Sequence, residues 1–360
     1  MSRTLRYGIV GTGMMGCEHI RNIAALPDAQ VVAIADPHEP SRDLALLACG
    51  EEAEISVHAD VSSMLAEAEL DAVVIATPNH THVDVLDPIF ERGLHVLVEK
   101  PMCTTIDDCV RVVERAERHR GVFQVGLEYR YMPPVAAFLA AIREGAVGRL
   151  RMLFIREHRF PFLPKVDHWN RFTRNTGGTL VEKCCHFFDL MNLAIGSSPV
   201  RVMASGAQDV NHLDERYDAG VPDVLDNAFV IVDYANGARA CLDLCMFAEG
   251  SRHEQELVAT GDGGKLECSV PDDGLIRSTR AYRDWSREAI PGDPRVAHTG
   301  FHHGASYLEH LDFLDSIRSG QPARVGARDG LRSVAIGVAA HRSIDERRSV
   351  ELAEFGPIGL

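Results

Sequence analysis

Positions 182–190 read EKCCHFFDL, which sets an acid, a base, two thiols, an imidazole and a second acid within eight positions. Three chemistries use such groups: a metal site, a redox dithiol, or an acid–base pair on a helix. The cysteines lie at 17, 49, 103, 109, 184, 185, 241, 245 and 268, with no C-x-x-C pair among them, which argues against a structural metal. Adjacent cysteines do not easily close into a relaxed disulfide, and an odd total leaves no tidy pairing. Cys184 and Cys185 are therefore expected to pack as small buried hydrophobes, as are Cys241 and Cys245 on one face of the strand-like ARACLDLCMF. Glu182 and His186 remain. Four apart, they share a helix face, with Asp189 three residues further on. Imidazole exchanges a proton near neutral pH, and a carboxylate orients it and stabilises its cation. The competing reading of His186 is a core histidine satisfied by its own fold.

What such a pair could act on depends on the first hundred residues. LRYGIV, apolar and strand-like, runs into GTGMMG, so Gly11, Gly13 and Gly16 stand in G-x-G-x-x-G spacing. A helical segment and a second apolar run, VVAIAD, follow, ending in Asp36, 20 residues beyond Gly16. Strand, glycine loop, helix, strand and acid together describe a dinucleotide-binding βαβ unit. Gly11 allows the tight turn, Gly13 lets backbone approach a pyrophosphate, and Gly16 lets helix and strand pack closely. The phosphates then sit on the helix N-terminus, where free N–H groups favour negative charge. Asp36 suits a ribose 2′-hydroxyl and repels a 2′-phosphate. The following PHEPSR offers no adjacent arginine, although Arg42 is not far off, so NAD is expected over NADP.

Strand-like runs continue at 70–78, 94–101 and 121–127, with helical segments at 41–49, 61–68, 81–92 and 105–119 between them. That alternation predicts a doubly wound parallel sheet, with ligands at the carboxyl ends of its strands. The polar clusters there are Thr77, Pro78, Asn79, His80 and His82, then Glu99 and Lys100, then Glu128, Tyr129 and Arg130. Gly11, Gly13, Met14, Met15, Gly16, Asp36, Thr77, Pro78, Asn79, His82, Glu99 and Lys100 are the candidate cofactor contacts.

The chain has 360 residues, which suits two domains. A net charge of −15 argues against nucleic acid and anionic membrane as partners. No apolar run reaches the roughly 18–20 residues of a bilayer span. MSRTLRYGIVG enters a strand-like segment without the apolar stretch of a signal peptide, so reduced thiols and a cytoplasmic location are expected.

GTGMMG, Asp36, ATPNHTH, EKP and the later GG…E-x-x-x-H-x-x-D, in that order, resemble the Gfo/Idh/MocA family of glucose–fructose oxidoreductase and inositol dehydrogenase. The resemblance runs through nearly the whole chain, including GASYLEHLDFLDSI and RDGLRSVAIGVAAHRS near its end. It implies an α/β fold: a Rossmann domain over 1–127, then an α/β domain over 128–360 with a large, mostly antiparallel sheet. The final helices are free to pack back on the first domain. The sheet often forms subunit contacts in the family, so a homodimer or homotetramer is expected. The resemblance makes His186 the acid–base group, with Glu182 where the family usually has aspartate and Lys100 on the reacting oxygen. Lys183 and the Cys184–Cys185 pair are not part of the family pattern. The activity implied is NAD-dependent oxidation of a ring hydroxyl of a sugar, sugar acid or cyclitol. The alternative is an NAD-dependent glycoside hydrolase that oxidises the ring transiently, eliminates the aglycone, adds water and returns the hydride.

Residues 156–176, REHRFPFLPKVDHWNRFTRNT, carry five cations against two carboxylates, a balance of +3 in an acidic chain. Two prolines predict a loop. Arg159, Lys165, Arg171 and Arg174, with His168 and Trp169, are candidates for holding a sugar that bears an acidic group, since guanidinium matches such groups bidentately. Tyr129, Arg130, and His302 and His303 of GFHHG complete the candidate substrate contacts. A solvated loop is the simpler alternative for this insert.

Overall fold

The computed structural model describes residues 3–358. They form two compact units. The first takes in the chain up to Glu128, Lys165–Trp169 and Arg295–Leu331; the second takes in Tyr129–Pro164, Asn170–Pro294 and the chain from Arg332 onward.

The first unit is built on a six-stranded parallel sheet: β1 (Leu5–Val10), β2 (Ala29–Ala35), β3 (Ser56–His58), β4 (Ala72–Ile75), β5 (His95–Glu99) and β6 (Phe123–Gly126), in the order β3-β2-β1-β4-β5-β6. Helices α1 (Met14–Ala24), α2 (Glu39–Cys49), α3 (Val61–Glu67), α4 (His82–Arg92) and α5 (Ile106–Ala116) are the crossovers. The central strands β4 and β5 are short, rich in β-branched residues and buried along nearly their whole length, as a parallel sheet covered on both faces requires. Helix starts are set locally: Asp60 accepts the Ser63 N–H at 2.8 Å and Thr105 that of Asp108 at 3.1 Å. The strand order reverses between β1 and β4, which opens the ligand crevice of such sheets at their carboxyl ends. Under α1 the core joins Tyr7, Ile9, Ile20, Ile23, Ile34 and Val74 to Tyr307 and Phe313. The last two come from a later helix, 305–319, that packs on α1. Burying a side chain such as Phe313 contributes about 1.5–3 kcal/mol.

The second unit starts with α6 (Pro133–Arg143), then β7 (Leu150–His158), the helical turns α7 (Thr173–Thr176) and α8 (Thr179–Glu182), and α9 (Cys185–Ile195). Strands β8 (Pro199–Ala207), β9 (Asn227–Tyr234), β10 (Arg239–Cys245), β11 (Gln255–Gly261), β12 (Gly264–Val270), β13 (Gly274–Thr279) and β14 (Trp285–Ala289) follow. The helix of the first unit, α10 (Ala305–Ser319), then leads to α11 (Ala327–Glu346) and the short β15 (Val350–Glu351). The sheet order is β14-β13-β12-β11-β7-β10-β9-β8-β15, antiparallel except where β10 runs parallel to β7. Helices α6 and α9 pack on this sheet. Register aligns Met203, Ile231, Cys241 and Phe154 across one face, and Met152 and Phe229 share it. Phe229 is 62% exposed there.

Three local expectations change. The insert begins as strand: Arg156–His158 complete β7, because Glu157 continues its inward alternation and the strand is paired on both sides. Cys241 and Cys245 lie half-exposed on the outer sheet face, while Leu242 and Leu244 take the core side of β10. The EKCCHFFDL helix is broken at Lys183 and Cys184. The Cys184 N–H reaches the Thr179 carbonyl five residues back, at 3.3 Å, and ends α8 before α9 starts. Glu182 and His186 therefore stand on two helical segments either side of a turn.

Candidate active site

In the first unit the glycine loop has the geometry its spacing predicts. Gly11 has φ +86°, and a Cβ there would collide with the backbone of Ala76 and Thr77 at the end of β4. A Cβ on Gly16 would strike the Gly11 carbonyl. A Cβ on Gly13, at the start of α1, would meet no protein atom within 4 Å; it would fill the space over the helix N-terminus. Buried Thr12 has a hydroxyl with no hydrogen-bond partner among the described residues. A pyrophosphate fits this cradle. Asp36 accepts backbone N–H groups from Thr12 at 2.7 Å and His38 at 2.8 Å, which fixes its carboxylate at the end of β2 beside the loop. Arg42 reaches the same corner, but its guanidinium donates to the Asp36 carbonyl at 2.6 Å. Met14 is largely exposed and Met15 half-buried beside it.

At the end of β4, the Thr81 hydroxyl donates to Thr77 Oγ1 at 2.8 Å, and Asn79 is buried in the turn that Pro78 opens. His82, a candidate cofactor contact, has Nδ1 3.0 Å from the Pro101 carbonyl and Nε2 3.0 Å from that of Thr77. It ties the β4 loop to the β5 loop, and burial lowers its pKa against the pull of these carbonyls.

At the end of β5, Glu99 Oε2 accepts the Lys100 backbone N–H at 3.0 Å, and Oε1 lies 3.0 Å from His19 Nε2. Burial alone would raise the Glu99 pKa. The His19 hydrogen bond and the nearby cations outweigh it and bring it to about 2. His19 Nδ1 is 2.8 Å from His310 Nε2. His310 Nδ1 has no hydrogen-bond partner among the described residues. Burial holds the His310 pKa well down. His302 lies 3.4 Å from Glu128 Oε1 and 3.2 Å from the Ser306 hydroxyl, and His303 sits at φ +54° in the turn before α10.

In the second unit the motif's entry is set by glycine. Gly178 has φ +87°, and a Cβ there would strike the His341 ring of α11. His341 Nε2 accepts the Leu180 N–H at 3.1 Å. Glu182, Lys183, Cys184, Cys185, His186 and Asp189 are all buried. The His186 ring stacks on that of Tyr129, with centroids 4.1 Å apart and planes at 10°. The Tyr129 hydroxyl is 2.7 Å from Lys183 Nζ, which in turn lies 2.9 Å from Glu157 Oε1. Arg130 is committed to Asp189, with Nε 2.5 Å from Oδ2 and a second bond beside it. Metal-ligand clusters of three or more His, Cys, Asp or Glu do not occur among the described residues.

The insert's cations do not form one group. Lys165, His168 and Trp169 belong to the first unit, where Lys165 lies over the Trp169 ring at 5.4 Å. Arg159, Arg171 and Arg174 belong to the second. Arg171 is buried on Glu215 at 3.0 Å, and Arg156 pairs with Glu256 at 2.7 Å. Arg174 donates to the Ala219 carbonyl at 2.8 Å. Arg159 lies over the Phe160 ring, 3.7 Å from Glu157. The His19–His310 pair and the Glu157 partnership went unread in sequence, because their members are separated by 291 and 26 positions and no spacing rule joins them.

A glycine cradle for a pyrophosphate on one unit, and a buried histidine over a broad sheet on the other, define a two-part nucleotide-dependent oxidoreductase. The chain belongs to the GFO_IDH_MocA oxidoreductase family: residues 5–127 match its NAD-binding Rossmann fold and 140–352 its C-terminal alpha/beta domain. It is 25% identical over 354 residues to a myo-inositol 2-dehydrogenase of Thermotoga maritima, covering 97% of this chain and 99% of that protein. It is 27% identical over 372 residues to an inositol 2-dehydrogenase of Rhizobium meliloti, covering 97% and 100%. Its fold matches a levoglucosan dehydrogenase solved in complex with NADH and levoglucosan, with TM-score 0.84 and 23% identity over 97% of this chain and 99% of that one. The first unit is thus an NAD-binding domain.

Proposed function

We propose that the protein is an NAD-dependent dehydrogenase of a ring hydroxyl, acting on a cyclitol or sugar. The observation that carries the reading is His186: a buried imidazole, held face to face by Tyr129, in the position where the family resemblance implies the acid–base group. The inositol dehydrogenases among its relatives support the substrate class. When bound, NAD supplies the hydride acceptor. Gly11, Gly13 and Gly16 hold its phosphates, and Asp36 takes its ribose hydroxyls. His186 accepts the proton of the reacting hydroxyl, Glu182 steadies the resulting cation, and Lys100 hydrogen-bonds the oxygen. Lys100 is anchored for this through its own N–H on Glu99.

The insert's charge does not by itself call for an acidic substrate, because Arg156, Arg159 and Arg171 all lie within ion-pair reach of carboxylates of the chain. The enzyme works in the cytoplasm, which nine free cysteines suit. No helix among the described residues is long and apolar enough to cross a membrane.

The test is a panel of myo-inositol, other cyclitols, sugars, sugar acids and aryl glycosides with NAD, scored at once for NADH formation and aglycone release. Net NADH from a free ring polyol or sugar supports the reading. Aglycone release without net NADH would replace it with the hydrolytic alternative.

A further inference from the structure

We propose that Lys183 is a positioning residue for His186, acting through Tyr129: it fixes the hydroxyl of the phenol ring on which the imidazole is stacked. The catalytic consequence rests on the reading above; the geometric claim does not.

Lys183 sits in the turn between α8 and α9, where a surface lysine would ordinarily reach for water. It is only 4% exposed. Its ammonium turns inward to Glu157 Oε1, and Glu157 has no solvent exposure at all. The other Glu157 oxygen accepts from Gln255 Nε2 at 2.7 Å, so Lys183 and Gln255 of β11 hold the carboxylate from both sides. A buried carboxylate demands a cation, and Lys183 supplies it. That ion pair fixes where Nζ stands, and from there Nζ donates to the Tyr129 hydroxyl at 2.7 Å. Nζ also lies 5.7 Å from the Phe187 ring centroid, and Phe187 meets the Tyr129 ring edge-on at 5.7 Å. Tyr129 is thus pinned at its hydroxyl by Lys183 and packed in a T-shaped contact with Phe187, and its face covers His186 at 4.1 Å.

The chain just after Tyr129 is held separately. Arg130, the next residue, is tied to Asp189 of α9, three residues beyond His186. The turn carrying Tyr129 is therefore anchored without Lys183; what Lys183 adds is the position of the phenol's hydroxyl end, and with it where the ring lies over the imidazole. The sequence separates the four groups, at 129, 157, 183 and 186, and only the fold makes them a chain of contacts. A reacting group misplaced by about 1 Å loses rate on the order of a hundredfold, so a ring set in this way has kinetic weight.

The experiment uses the full-length protein saturated with NAD and labelled at histidine, with the His186 ring signals assigned by their loss in His186→Gln. Stacking on a phenol shifts these protons upfield. Tyr129→Phe keeps the ring but removes the hydroxyl link. Lys183→Met paired with Glu157→Gln removes the link without leaving a buried carboxylate uncompensated. In both, the His186 signals should move toward an unstacked position. NADH formation from myo-inositol, or from the panel substrate that turns over, should lose about tenfold to a hundredfold in kcat with an unchanged KM for NAD. Combining Tyr129→Phe with the Lys183 and Glu157 changes should cost no more than the worse of the two, because they cut one path. The inference is overturned if either stable variant keeps the wild-type His186 signals. If the signals move but wild-type protein forms NADH from no substrate in the panel, the positioning stands and the dehydrogenase reading fails.

Discussion

Arg130 grips Asp189 through two nitrogens, Nε lying 2.5 Å from Oδ2, and the Asp189 side chain is 2% exposed. Removing one member of such a pair strands a charge in the interior. Arg130→Met should therefore destabilise the protein by about 3–5 kcal/mol in urea unfolding, and Arg130→Met with Asp189→Leu should recover much of the loss. If Arg130→Met unfolds like wild type, the pair is not a structural tie.

Asp36 is fixed by two backbone N–H groups at the end of β2. NAD should bind more tightly than NADP, and Asp36→Ser should narrow the gap by removing the charge that repels a 2′-phosphate. Arg42 already stands at this corner, so the variant should gain NADP affinity and not merely lose NAD affinity. Titration of both cofactors decides it; equal affinities in wild type would contradict the assignment.

His341, buried against Gly178, accepts an N–H through Nε2 and is kept neutral by burial, with its pKa lowered to about 4. A histidine with a depressed folded pKa stabilises the fold above its unfolded pKa of about 6.5 and stops doing so as pH falls toward the folded value. Between pH 7 and about 4 this one group should remove roughly 3 kcal/mol of stability. His341→Gln, whose amide oxygen can accept the same N–H, should flatten that part of the profile. Urea unfolding of both proteins across the range is the check, and parallel profiles would rule the effect out.

The outer sheet face presents Met152, Phe154, Met203, Phe229 and Ile231 in register. We propose that this exposed apolar patch is an association surface for a second copy of the chain. Phe229→Arg with Ile231→Glu should lower the mass seen in sedimentation while leaving NAD binding in place. A wild-type monomer would contradict the surface's role.

Much of the first unit was legible because its signals are local. LRYGIV, GTGMMG and Asp36 lie within 32 positions, and each backbone demand falls on a residue whose type announces it. The second unit was legible only in part. Strand alternation in β7 was hidden by prolines a few residues on, so REH read as loop. The break between α8 and α9 could not be seen, because Lys183 and Cys184 carry no helix-breaking signal. What turns Lys183 inward is Glu157, 26 positions earlier, and burial of a charge depends on partners brought by topology. For the same reason the insert's net charge overstated its freedom: Arg156 and Arg171 are matched by acids at 256 and 215, far outside the stretch being counted.

The central claim is that His186 moves the proton of the reacting hydroxyl. It is tested most directly by the rate of NADH formation in His186→Ala at saturating NAD, on the substrate the panel identifies. The account predicts a fall of about 10²–10⁴-fold, the usual contribution of a general acid–base group, with NAD affinity unchanged because the glycine loop and Asp36 lie on the other unit. A variant that turns over at the wild-type rate would contradict it.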